Sequence, residues 1–228
     1  MEYDEYCSLL VSNGRLREKI MKRRQFLQMS VALVGFAPLI LEAKNIQSLK
    51  GDVKVNGKPI SEKTQIQAGD VITTGENSQV IFLVEKDVYR LGSNAELKVQ
   101  GKNKLIDSMR LVTGGLMSVF EKGSRRELQT ASATIGIRGT GFYCVVEEEQ
   151  TYFCTCYGST EVNTSEGERI IQATQTHHKP YFIDNKTGEF SLPPPDLKNH
   201  TNEELIYLES LVNRQPPKSF LENVQYPL

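Results

Sequence analysis

From Ile46 to about Ile183 the chain is cut by turn-forming residues roughly every ten positions, and between the cuts lie runs suited to strands. "GDVKVNGKPI" reads as a hairpin closed by Asn56-Gly57, a pair that suits a type I′ turn because both residues tolerate positive φ. "AGDVITTGENSQVIFLVEKD" reads as two strands around Gly75-Glu76-Asn77-Ser78, with Val80–Val84 continuously apolar, as in a strand covered on both faces. "AELKVQ" alternates Ala95, Leu97 and Val99 with Glu96 and Lys98, the pattern of a half-buried strand. The stretch from Gly141 to Ala173 predicts three or four more short strands, with turns at Glu148–Gln150 and Ser165–Glu168. This spacing implies an all-β fold over residues 44–190: a β-solenoid, a curled sheet or a sandwich of short strands.

Beyond it, residues 191–200 hold "LPPPDL", a stiff extended connector. Residues 201–228 start with a capping box, Thr201 and Glu204, and place Leu205, Leu208, Leu211 and Val212 on one face. One amphipathic C-terminal helix is therefore expected, packed on its own sheet or docked on a partner. The "QPPKSFLENVQYPL" tail carries no motif.

The start of the chain bears on location. "MKRRQFLQMSVALVGFAPLILEAKN" has a basic cluster, Lys22-Arg23-Arg24, then an apolar run from Val31 to Leu41 and a closing "LEA". That is the order of regions in a signal peptide over residues 21–43, and the run is short of the ~20 residues a spanning helix needs. "KRRQFLQ" resembles a twin-arginine export signal, with Lys22 and Gln28 departing from the usual pattern. An ordinary export signal with a basic start is the other reading, and either places the mature protein in the periplasm or otherwise outside the cytoplasmic membrane. Residues 1–20 sit awkwardly before such a signal, and a true start at Met21 is the simplest expectation. Membrane contact is expected only through the export signal. The 27 Lys and Arg against 28 Asp and Glu leave a net charge of −1, with no electrostatic reason to expect nucleic acid as a partner.

Three segments carry a family resemblance: "GDVITTGENSQVIFLVEKDVYRLGSNAELKV", "RLVTGGLMSVF" and "TASATIGIRGTGFYCVV…GSTEV". Together they resemble the FecR domain family over about residues 46–165, most specifically in "IGIRGTGF", where Gly136, Arg138, Gly139, Thr140 and Phe142 match its pattern. The resemblance implies an extracytoplasmic, curled or helical β domain used in sensing and protein contact, with an envelope protein as partner. No segment here matches the cytoplasmic anti-sigma part of full FecR regulators, so a stand-alone exported module is expected. The glycines of the hallmark suit tight corners. Arg138 suits a structural tie, to turn carbonyls or to a carboxylate such as Asp70, or else a grip on an anionic ligand.

Soft ligands are concentrated late in the chain. "TYFCTCYGSTEV" puts Cys154 and Cys156 on one face of a strand with Tyr152, leaving Phe153, Thr155 and Tyr157 on the other. "HHKPYFI" follows with His177 and His178, two of the chain's three histidines. In a regular strand these two would face opposite ways, so a shared site needs a bend or uses only one of them. Two thiolates with imidazole is a ligand set for zinc or copper. Stand-alone FecR-like proteins are similar in pairing a "CxCYG" with a later "HH". Two other readings stay open. Pairing Glu147 with Thr151 would set Cys144 opposite Cys154 for a disulfide, or the cysteines pack as small hydrophobes. A nucleophile elbow, phosphate loop or paired-carboxylate motif is missing, so the chain is expected to bind rather than catalyse. A structural interaction module of the envelope and a thiol redox enzyme are the alternatives.

Overall fold

A computed structural model of the chain describes residues 44–102, 105–192 and 198–224, the side chains of 223 and 224 excepted. The expected export signal over 21–43, the expected start at Met21 and most of the proline connector lie outside the described residues. Among those described, no helix is long and apolar enough to cross a membrane.

The chain is all-β, as expected, and its strands join one curled, open sheet. In order they are β1 (Ile46–Lys50), β2 (Val53–Val55), β3 (Lys58–Pro59), β4 (Val71–Thr74), β5 (Gln79–Val84), β6 (Asp87–Leu91) and β7 (Glu96–Lys102). Next come β8 (Leu105–Val119), β9 (Arg125–Gln129), β10 (Ala133–Val146), β11 (Gln150–Thr164), β12 (Arg169–Thr174), β13 (Lys179–Asp184) and β14 (Phe190–Ser191). Two helices follow, α1 (Asn202–Ser210) and α2 (Lys218–Val224). The Asn56-Gly57 turn has both residues at positive φ, 52° and 75°, and Val55 pairs with Lys58 across it.

Strand length departs from expectation. β8, β10 and β11 run to 15, 14 and 15 residues, because each bends and serves two parts of the sheet. The first part of β8 pairs with β7 and, in parallel, β9; from Gly114 onward it lies between β6 and β10. β10 changes neighbour at the same level, from β9 to β8, while β11 passes from β13 to β12. The corner in β10 and β11 depends on two glycines. Gly139 has φ 51° and Gly158 has φ 93°, and a Cβ on Gly158 would lie 2.4 Å from the Thr140 hydroxyl oxygen. Thr140, fully buried beside the corner, accepts the Ser159 N–H at 3.0 Å and donates to the Arg138 carbonyl at 2.8 Å.

Bending folds the sheet onto its own apolar face. One core cluster gathers Ile72, Leu97, Met109 and Ile135 from one limb with Phe82, Leu116, Phe142 and Ile183 from the other. The opposite face of the second limb holds a second cluster, Met117, Tyr143, Tyr152, Cys154 and Cys156, covered by Leu205 and Leu208 of α1 and Phe220 of α2. The C-terminal helix thus packs on its own domain. Its Thr201–Glu204 capping box forms as the sequence implies, and Glu204 reaches Arg90 on β6 at 3.0 Å. The second helix was not expected, because the segment is short and, among its described side chains, Phe220 alone is buried.

Three other expectations need correction. Val146, not Glu147, pairs with Thr151, so the turn holds four residues and closes with Glu147 N–H donating to the Gln150 carbonyl at 3.0 Å. That one-residue slip sets Cys144 opposite Phe153 and Cys154 opposite Tyr143. Cys144 then points into the first core and Cys154 into the second, and a Cys144–Cys154 disulfide is ruled out by opposite faces. Tyr157 joins the cysteines' side instead of the other, because the β10–β11 register shifts around Gly141. Asp70 does not meet Arg138; it accepts from Asn56 Nδ2 and the Gln67 N–H, both at 2.8 Å.

Candidate metal centre

Under the helices, four soft donors converge. The Sγ atoms of Cys154 and Cys156 and ring nitrogens of His178 and His200 all lie within 4.8 Å of one another. The two cysteines come from β11, where alternate positions share a face. His178 immediately precedes β13, which pairs with β11 and sets Cys154 opposite Pro180. His200 arrives from the other direction, directly before the N-cap Thr201 of α1.

Three of the donor separations match the edges of one tetrahedral ion. Bonds of ~2.3 Å to sulfur and ~2.0–2.1 Å to nitrogen imply edges of ~3.8 Å between sulfurs, ~3.3 Å between nitrogens and ~3.5 Å between unlike donors. Here Cys154 Sγ lies 3.9 Å from Cys156 Sγ, His178 Nδ1 lies 3.1 Å from His200 Nε2, and Cys154 Sγ lies 3.4 Å from His178 Nδ1.

Each imidazole is held by its other nitrogen. His200 Nδ1 donates to the Lys198 carbonyl at 2.8 Å, and His178 Nε2 donates to Asn202 Oδ1 at 2.7 Å. These outer bonds orient both rings so that His178 Nδ1 and His200 Nε2 face each other, free to take a metal or a proton. A cation belongs between them. The His200 ring is further fixed by stacking on Tyr143, centroids 4.8 Å apart, and His178 packs on Phe220 at 5.5 Å.

Without a metal, protons must serve. Burial pushes the Cys154 thiol up, but hydrogen bonds from Cys156, His178 and His200 outweigh it and hold the group well below the ordinary thiol value. Cys156 goes the other way: burial, then its bond to Cys154, raises it well above that value. For His178, burial favours the neutral ring, yet contact with the Cys154 thiolate outweighs it and raises its pKa. The metal-free cluster thus favours charge on Cys154 and His178 and keeps the proton on Cys156. Binding a metal has to expel the protons on Cys156 and His178. Apparent zinc affinity should therefore fall as pH falls, by up to about a hundredfold per unit near neutrality if both protons are displaced. Competition with a zinc-binding dye across pH 6–8 reads this slope; a flat profile would contradict the protonation pattern.

Of the four residues that the sequence singled out, Cys154, Cys156 and His178 come together. His177 does not: it is exposed in the turn before β13, its Nδ1 2.8 Å from the Thr176 hydroxyl. The fourth donor is His200, the remaining histidine of the chain, which sequence reasoning passed over. Its signal was its place beside a capping box that fixes where a helix begins. The hallmark residues Gly136, Arg138, Gly139, Thr140 and Phe142 lie on β10, away from the cluster, at the corner and in the first core.

Residues 70–168 match the model of the family described as FecR protein. The match takes in the hallmark and both cysteines, whereas His178 and His200 lie beyond it. Two crystal structures of a candidate anti-sigma factor from Parabacteroides distasonis, at 1.65 and 2.50 Å resolution, are similar at 15% identity and a TM-score of 0.44. The similarity covers 53% of this chain and 57% of that one, so the chain spans little over half of its structural neighbour. No curated protein matches the chain.

Proposed function

Because this chain carries a FecR domain over residues 70–168, we propose that it is an exported, non-catalytic regulatory module whose buried Cys₂His₂ centre binds zinc and whose signal passes to an envelope protein partner. The observation that carries this reading is the cluster of four donors within 4.8 Å of one another, three of whose separations match tetrahedral edges, with both outer ring nitrogens already donating to protein oxygens. Zinc is favoured over copper because two thiolates and two imidazoles in a tetrahedron are its ordinary structural set. Both thiols are fully buried, which suits ligands better than a redox reagent, whose sulfur must be reached. Export rests on the basic, apolar and small-residue order of residues 21–43, and a periplasmic setting follows from it.

Metal analysis of protein purified after native export tests the centre. About one equivalent of zinc per chain is expected, falling to background in Cys154→Ser and in His200→Asn while His177→Asn retains it. Less than about half an equivalent of any transition metal in the parent chain would refute the centre. Copper at full occupancy would keep the site and correct the ion.

A further inference from the structure

The corner of the sheet carries a second feature, independent of the metal centre. A cavity of about 720 Å³ opens there, floored by the bend in β10 and β11 and walled by the segment that follows α1. Its volume is that of a small-molecule site. Phe120, Tyr157 and Pro217 give it apolar surface, and Lys122, Arg138 and Arg214 give it charge. The single carboxylate in its lining, Glu209, is already occupied: it accepts from the Tyr157 hydroxyl at 2.7 Å and from Arg214 Nε at 2.6 Å.

Arg214 is ion-paired with Glu209, whereas Lys122 and Arg138 are not ion-paired among the described residues. Arg214 Nη1 donates to the Lys86 carbonyl, but its Nη2 is buried and has no hydrogen-bond partner. Arg138 stands directly opposite Arg125 in the β9–β10 pairing, and like charges at such positions repel. Among the described residues, no carboxylate lies within ion-pair distance of Lys122, Arg125 or Arg138. Arg138 and Ser159 also line an adjoining cavity of about 380 Å³, where Arg125, Arg126 and Arg169 outnumber the one carboxylate, Glu161, which accepts from Arg169 Nε at 2.9 Å. Arg138 feels the Glu161 carboxylate only from beyond ion-pair distance, so its guanidinium and the Lys122 ammonium stay available to an anion at the cavity.

We infer that this corner cavity binds a small organic acid, its carboxylate or phosphate head held by Arg138 and Lys122 within reach of Arg214 and its apolar body against Phe120, Tyr157 and Pro217. Guanidinium groups present paired N–H donors to such heads, and the apolar wall selects against bare inorganic ions. The FecR hallmark arginine then has a ligand as well as a place in the corner.

Calorimetric titration of the full chain with benzoate, phenyl phosphate, inorganic phosphate and neutral benzamide tests the assignment. Saturable binding of benzoate or phenyl phosphate is expected, at least about tenfold tighter than benzamide or inorganic phosphate. Which of the two binds tighter identifies the head. The Lys122→Gln/Arg138→Gln variant should weaken that binding at least about tenfold, and because both side chains are exposed its melting temperature should stay near that of the parent. Failure of both organic anions to saturate, equal binding of benzamide, or unchanged binding by the double variant overturns the inference. So does capture of a glutamate-rich peptide with neither small anion bound, which would make the surface a protein-docking site.

Discussion

Stripping zinc from the full chain with a chelator is expected to release the C-terminal helices while leaving the sheet folded. Three of the four donors belong to the β11–β13 part of the sheet, and the fourth, His200, sits on the segment that leads into α1. A bound ion therefore ties residues 198–224 to the sheet through His200. Without it, that segment is held by the buried side chains Leu205, Leu208 and Phe220, the Tyr157–Glu209–Arg214 contacts and the Arg90–Glu204 ion pair. The ion pair is partly exposed, 22% and 34% at its two side chains, and pairs of that kind contribute ~0–1 kcal/mol. The Cys154–Cys156 face beneath it also gains a cost when the metal leaves, because its polar donors then stay buried without the ion that joined them. Local opening of this kind is read by amide exchange. Amides of α1 should exchange at least about a hundredfold faster after chelation, equivalent to ~3 kcal/mol at 1.4 kcal/mol per decade. Those of the central strands β10 and β11 should be unchanged. His200→Ala should reproduce the chelated pattern and His177→Ala the parent pattern. Equal protection of α1 with and without zinc would show that the helices dock unaided and that the centre does not control them.

The difference between what the sequence disclosed and what it concealed follows the range of each interaction. Asn56-Gly57, the alternation in "AELKVQ" and the capping box at Thr201 depend on neighbours within a few residues, and each took the form read from it. The shared face of Cys154 and Cys156 is likewise a matter of strand parity and survives any error of register. The pairing of Cys144 is not, because "EEEQ" offers no residue that dictates where a four-residue turn begins, and one step of slip exchanges the faces. Parity itself failed at Tyr157, where the register shift around Gly141 returns the ring to the cysteines' side. His200 was beyond local reading. It meets Cys154 across 46 positions, through a connector and a helix start whose direction only packing decides. The length of β8, β10 and β11 was hidden for a related reason: local sequence does not say whether a glycine ends a strand or bends it, and Gly114, Gly139 and Gly158 lie within continuous strands.

Phe142→Ala should produce the largest loss of global stability among single substitutions in the hallmark. Phe142 is fully buried on β10, between β8 and β11, so strands cover both of its edges. Its ring stacks on Phe120 at 5.7 Å and on Phe153 at 5.6 Å, with interplanar angles of 28° and 21°. These contacts are the middle of a ladder of rings along the first core, running from Phe82 through Tyr89 and Phe120, then past Phe142 to Phe153, Tyr181 and Phe190. Removing the central ring opens a cavity that strands hydrogen-bonded on both sides cannot collapse to fill, and the cost of a buried Phe→Ala change is ~3–5 kcal/mol. Part of that is the ring geometry itself, ~0.5–1.5 kcal/mol for each neighbour lost. Against a total of ~5–15 kcal/mol for a domain, such a loss is a fifth or more of the stability. In urea the midpoint should drop sharply with an unchanged slope, whereas Val112→Ala, at a position 40% exposed, should shift it by less than ~0.5 kcal/mol. Phe142→Leu separates the two contributions: it keeps most of the apolar volume but not the stacking, and should cost ~1–2 kcal/mol. A Phe142→Ala loss below ~1 kcal/mol would mean the two limbs of the bent sheet close over the gap, and the ladder would then be a consequence of the fold's curvature and not one of its supports.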